Sequence, residues 1–104
     1  MNPIDKLYYL LREYRKGNYS DSIFCDQFTQ VYNIELNYDM LEELEHKLFR
    51  ELAEHTARFS EYEEDLTIPN VFYSGKDIKS KVEEVFQTLS NVEQYSVKLR
   101  DKED

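Results

Sequence analysis

The sequence is poor in the residues that interrupt or staple a chain. Two glycines and two prolines among 104 residues are too few for a fold of many turns, so long regular elements are expected. Cys25 is the single cysteine, which excludes an internal disulfide. With Ile23, Phe24 and Phe28 beside it, Cys25 reads as a small core residue rather than a reactive thiol. No apolar run approaches the length of a membrane span, and the first residues lack the regions of a signal peptide. A soluble, cytoplasmic protein with no membrane partner is expected. Positive charge is also scarce: 13 Lys and Arg face 22 Asp and Glu, a net −9. Such a balance repels nucleic acid and anionic lipid, and it attracts basic surfaces.

What is present is aromatic and unevenly charged. Nine Tyr and six Phe, with 40% apolar residues overall, argue against disorder. A chain of this length makes one domain that buries roughly 65% of its unfolded surface. The negative charge gathers between Glu35 and Asp65, where eleven acids face only Lys47, Arg50 and Arg58 and leave −8. Residues 1–34 are neutral and residues 66–104 carry −1. A field so localised points to a basic protein as partner and away from nucleic acid.

Apolar spacing predicts four helices in an all-α, antiparallel four-helix bundle. Asn2-Pro3 reads as an N-cap and first helical residue. Ile4, Leu7, Tyr8, Leu11 and Tyr14 follow helical spacing until Gly17 stops the helix near Lys16. Ser20 or Asp21 caps a second helix whose face is Ile23, Phe24, Gln27, Phe28 and Val31, ending near Asn33. A third helix opens at Asn37 or Asp39. Its stripe is Leu41, Leu44, Leu48, Leu52, His55 and Phe59, a helix of about 22 residues and ~33 Å. Glu42, Glu43, Glu45, His46, Arg50 and Glu54 form its charged face, and Glu43/Lys47 and Glu54/Arg58 are i,i+4 pairs. Ser74-x-x-Asp77 resembles a capping box for a fourth helix, with Ile78, Val82, Val85, Phe86, Leu89 and Val92 on its stripe and Tyr95 and Leu99 as extensions. Whether that helix breaks near Ser90-Asn91 stays open. A polar tail follows from about residue 100.

Between helices three and four lies a long acidic loop, Ser60–Tyr73. Connections in bundles are usually 2–8 residues, and longer ordered loops are usually functional. Pro69 stiffens it, and Leu66, Ile68, Val71 and Phe72 are expected to pin its second half to the bundle. The first half would then show Glu61, Tyr62, Glu63, Glu64 and Asp65 to solvent. A charge run is often only a solvated face. Here its placement in a long tethered loop, with Tyr62 inside it, favours an interaction surface.

Other chemistries find little footing. Acid–base catalysis needs carboxylates in distinct, partly buried environments, and no nucleophile motif or phosphate loop occurs, so no catalytic residue and no enzyme is expected. Glu43-x-x-His46 is half of a di-iron pattern that lacks its second half, and Glu61–Asp65 lacks the alternation and glycine of a calcium loop. No metal and no cofactor is expected. His55 reads either as a core-edge histidine bonded to a loop carbonyl or Tyr hydroxyl, or as a residue that positions the acidic loop.

The stretch Ala57–Tyr73, A-R-F-S-E-Y-E-E-D-L-T-I-P-N-V-F-Y, resembles the colicin D immunity family of self-protective bacterial proteins. The order of elements is also similar, with Asp5-Lys6-Leu7, Phe24 and Phe28, Leu48-Phe49, Arg58-Phe59 and Lys81–Leu89 in corresponding helices, over roughly residues 4–90. The resemblance implies one helical immunity-like domain, residues 1–104, that covers the active site of a transfer-RNA-cleaving toxin with acids standing in for RNA phosphates. It implies Glu61, Glu63, Glu64 and Asp65 as the matching acids, supported by Arg58 and Phe59. Ser60 departs from the pattern, since the corresponding place in colicin D's own immunity protein is acidic.

The expected function is therefore an immunity protein that binds the basic nuclease domain of a bacterial RNase toxin, as a monomer or as a heterodimer with it. Glu61, Tyr62, Glu63, Glu64 and Asp65 would make the contact, Glu54 and Glu43 would extend it, and Arg58, Phe59 and His55 would support it, with Arg58 pairing with Glu54 or Asp65. The alternatives are an acidic adaptor or DNA mimic that binds another basic protein, a self-associating helical protein, and a metal-binding bundle.

Overall fold

A computed structural model describes residues 1–100, and the expected polar tail lies outside them beyond Arg100. The described chain is all-helical, with six α-helices and no strand among these residues. They are α1 (Pro3–Arg15), α2 (Asp21–Gln30), α3 (Glu43–Ala57), α4 (Glu63–Leu66), α5 (Gly75–Ser90) and α6 (Glu93–Leu99).

The starts follow local capping chemistry. Asn2 accepts from the Asp5 amide, Ser20 from the Ile23 amide and Ser74 from the Asp77 amide, each satisfying an orphan donor of its helix. Asp77 answers by accepting from the Ser74 amide at 2.9 Å, so the capping box forms despite its shorter acid. Gly17 ends α1 at φ 87°, a conformation that favours glycine.

Two boundaries differ from expectation, and a third that the sequence left open is fixed by the fold. The second helix does not stop near Asn33: α2 gives way to one π-helical turn, Val31–Glu35, closed by the Leu36 amide on the Val31 carbonyl. The third helix does not open at Asn37 or Asp39. Asn37 instead caps a 3₁₀ turn, Tyr38–Met40, and α3 begins at Glu43, 15 residues long rather than about 22. The fourth helix breaks after Ser90, and the chain restarts as α6 with Tyr95 and Leu99 buried.

The buried face of α3 is also turned from the expected stripe. It consists of Glu45, Leu48, Phe49, Leu52, Ala53 and Thr56, while Leu44, His55 and Phe59 are only half-buried. Glu45, expected on the charged face, is 1% exposed. Its carboxylate accepts from the Glu42 amide (2.9 Å) and from the Tyr8 hydroxyl (2.6 Å), with Lys98 Nζ at 3.4 Å. These partners lie before α3, on α1 and on α6, so one buried acid ties three parts of the fold together. On α2, Ile23 and Gln27 face outward, and Phe24, Cys25 and Phe28 face inward.

The core joins α1, α2, α3, α5 and α6. Tyr14 stacks on Phe24 at 4.3 Å between centroids, and Phe49 receives Tyr8 and Phe28 edge-on. Burying each such side chain stabilises the fold by about 1.5–3 kcal/mol. The Tyr14 hydroxyl donates to Asp21 (2.5 Å), whose other carboxylate oxygen lies so near Gly75 that a Cβ there would sit 2.1 Å from it. A side chain at this position, where α5 starts against α2, would have to push the Asp21 carboxylate aside.

Candidate functional site

The connection between α3 and α5 is closed at its neck by backbone. Ser60 N–H donates to the Tyr73 carbonyl and Tyr73 N–H to the Arg58 carbonyl, both at 2.9 Å, which sets Phe59 alongside Tyr73 in a parallel bridge. Such a loop, long but with touching ends, is a compact Ω-type element. Phe59 and Tyr73 pack against the core. The His55 ring stacks on Tyr73 at 4.0 Å and 16°, and its Nδ1 lies 2.9 Å from the Glu51 carbonyl. His55 thus bears on the neck of the connection, and its polar partner is its own helix rather than a loop carbonyl or a Tyr hydroxyl.

Inside the neck, Ser60 organises the acidic residues. It is buried, accepts from the Tyr62 amide (3.1 Å) and donates to Asp65 Oδ2 (2.7 Å). That arrangement holds one helical turn, α4, in the middle of what sequence spacing presents as loop. Thr67 closes it by donating to the Glu64 carbonyl at 2.7 Å. Asp65 is half-buried and occupied by Ser60, so it braces the segment and does not stand free beside its neighbours.

Glu61, Glu63 and Glu64 are exposed, and none forms an ion pair or side-chain hydrogen bond among the described residues. Several acids elsewhere are answered, Glu35 by Lys6, Glu83 by Arg15, Glu51 and Glu84 by Lys81, and Glu45 by Lys98, while Asp5, Asp26, Asp39 and Glu43 form no ion pair among the described residues. Glu54 is likewise exposed and forms no ion pair among the described residues, one turn before the end of α3. Glu43 is exposed at the opposite end of α3, about 21 Å from Ala57 along the axis, so the fold does not bring it to the acidic segment.

Arg58 does not make the expected ion pair with Glu54 or Asp65. Its side chain is exposed, and it supports the segment through its backbone carbonyl. The Glu43/Lys47 pair does not close either. The expected pinning also fails in part. Phe72 is half-buried, but Leu66, Ile68 and Val71 are 37%, 46% and 43% exposed, and Tyr62 is 58% exposed. Tight turns leave too little chain for these side chains to reach the core: the Ile68 amide bonds the Asp65 carbonyl, and Asn70 takes φ 60°.

Behind the neck lies an open depression of about 410 Å³ lined by His55, Tyr73, Asp77, Ser80, Lys81 and Glu84. Lys81 is spoken for, 2.8 Å from Glu51 and 2.6 Å from Glu84. Its hydrogen bond holds the Glu51 carboxyl below the usual range. Burial would lower the Lys81 ammonium, but the two carboxylates outweigh it and raise it. Lys81 thus bridges a carboxylate of α3 and one of its own helix, as a strut between α3 and α5. Burial pushes the Cys25 thiol up to about 12, as suits a core cysteine. Among the described residues, no three His, Cys, Asp or Glu side chains gather as metal ligands, and no helix is long and apolar enough to cross a membrane.

The chain matches no family model, no curated protein and no solved structure. The necked segment carries unpaired carboxylates and exposed apolar side chains together.

Proposed function

We propose that this chain is an immunity protein that binds the basic RNase domain of a bacterial toxin, of the transfer-RNA-cleaving kind, and covers its active site. The observation that carries the reading is the trio Glu61, Glu63 and Glu64, unpaired on a segment braced at its neck by Phe59 and Tyr73 and within by Ser60–Asp65. Carboxylates held this way accept charge-assisted bonds from the Lys, Arg and His that a nuclease uses to grip phosphates. Preordering removes part of the entropy lost on docking. Opposite fields also speed encounter toward ~10⁸–10⁹ M⁻¹s⁻¹, which suits capture of a toxin before it cleaves.

In this reading α1, α2, α3 and α5 are the four helices of an immunity-type bundle, and the protein acts in the cytoplasm as a monomer that forms a heterodimer with its toxin. Tyr62 is the aromatic anchor and Glu54 extends the acidic face. Asp65, Arg58, Phe59 and His55 serve the shape of the segment rather than contact. The resemblance of Ala57–Tyr73 to colicin D immunity proteins supports the same assignment. Reversing Glu63 and Glu64 together to lysine is expected to weaken toxin binding by at least about 2 kcal/mol, some 30-fold in Kd, with the helical signal unchanged. Unchanged affinity in that variant would remove the segment from the interface. A basic DNA-binding protein as the one tight partner would favour an acidic adaptor instead.

A further inference from the structure

The segment that bears the free acids also bears the apolar side chains that fail to reach the core. Tyr62 precedes α4 as its N-cap and Leu66 ends it, and Ile68 and Val71 follow in the turns after it, all between 37% and 58% exposed. Single exposed apolar residues are ordinary on a protein surface, but four in ten consecutive positions, on a braced segment, are not. Two occupants are conceivable. A second copy would set Glu61, Glu63 and Glu64 against the same unpaired acids of its neighbour, and like charges at close quarters oppose docking. A cationic partner meets the same acids as an attraction.

We infer that the partner presents an apolar patch beside its cationic groups, and that Tyr62, Leu66, Ile68 and Val71 cover that patch while the carboxylates pair around it. This rests on the proposed function and adds a second determinant of specificity. A nucleic acid has no apolar patch of this kind, so the complex would be more than an imitation of RNA. The acids would set the rate of encounter and its salt dependence. The apolar strip would set the rate of escape, and its share would persist when salt screens the charges.

The test compares two double variants, Leu66→Ser/Ile68→Ser and Glu63→Lys/Glu64→Lys. The probe is the catalytically inactivated nuclease domain of the toxin encoded beside this gene, at about 50 mM and about 500 mM salt. Circular dichroism verifies folding, and Val71→Ser with Tyr62→Ser repeats the apolar test on other side chains. The apolar variant is expected to lose at least about tenfold in affinity at both salt concentrations, through faster dissociation and with an unchanged salt slope. The charge variant is expected to lose most at low salt, with a flattened slope. Apolar variants within about twofold of wild type, beside a weakened charge variant, would overturn the apolar inference and leave the functional reading standing. No loss in either would overturn both. A wild-type dimer that Leu66→Ser/Ile68→Ser dissociates would overturn the inference in favour of a second copy.

Discussion

Glu45→Ala is expected to be among the most damaging single substitutions in the protein. The carboxylate is 1% exposed and answers three groups. Tyr8, also 1% exposed, cannot turn its hydroxyl to water, and stranding that donor costs about 1–3 kcal/mol. Loss of the acceptor for the Glu42 amide at the start of α3 adds about 0.5–2 kcal/mol. Lys98 has 38% of its side chain exposed and regains water, so its share is at most about 1 kcal/mol. Allowing for overlap, the loss is about 3–5 kcal/mol, the range for breaking a buried charged contact. Tyr8→Phe removes only the donor and should cost about 1–2 kcal/mol. The double variant should then lose less than the sum, with a coupling of about 1–2 kcal/mol. Urea unfolding of the four proteins measures all of these, provided the slopes agree. A loss under about 1 kcal/mol for Glu45→Ala, or additive single effects, would refute the assigned role of this network.

Three further outcomes follow from the packing. Gly75→Ala should destabilise by about 1–3 kcal/mol, because its Cβ would displace the Asp21 carboxylate from Tyr14, and adding Asp21→Ala should remove most of the clash in a thermal melt. Cys25 should resist a thiol reagent at pH 8 in the folded protein and react at once in denaturant, since burial raises its thiol to about 12; fast reaction in the fold would contradict its placement. Hydrogen bonds from Lys81 and Arg15 lower the Glu51 and Glu83 carboxyls. A depressed folded value means that their contribution is present above the ordinary 4.5 and is lost as pH falls below it. Glu51→Gln with Glu83→Gln should therefore flatten the acid limb of the stability–pH curve, and an unchanged limb would show that these pairs contribute nothing.

Helix starts were legible where a short polar side chain caps them, as at Asn2, Ser20 and Ser74, because that chemistry is local. The inward side of α3 was not. Leu44, His55 and Phe59 kept helical spacing, yet the core took Glu45, Phe49 and Thr56, because Tyr8 and Lys98 offered Glu45 partners from α1 and α6. Spacing within one helix carries no record of such distant partners. The break after Ser90 was a visible possibility, but packing of Tyr95 and Leu99 settled it. In the acidic segment, the free state of Glu61, Glu63 and Glu64 was readable from the shortage of nearby bases. The withdrawal of Asp65 by Ser60, and the exposure of Leu66, Ile68 and Val71, depend on turns whose geometry composition does not specify. Ser60 with an acid five residues on was the available clue.

The most direct measurement is a titration of the proposed partner's active nuclease domain with this protein, following binding and RNA cleavage in the same samples across salt concentrations. We expect nanomolar binding that weakens with salt, and cleavage that stops at one-to-one stoichiometry. Tight binding with cleavage intact would contradict cover of the active site. No binding would contradict the proposed function itself.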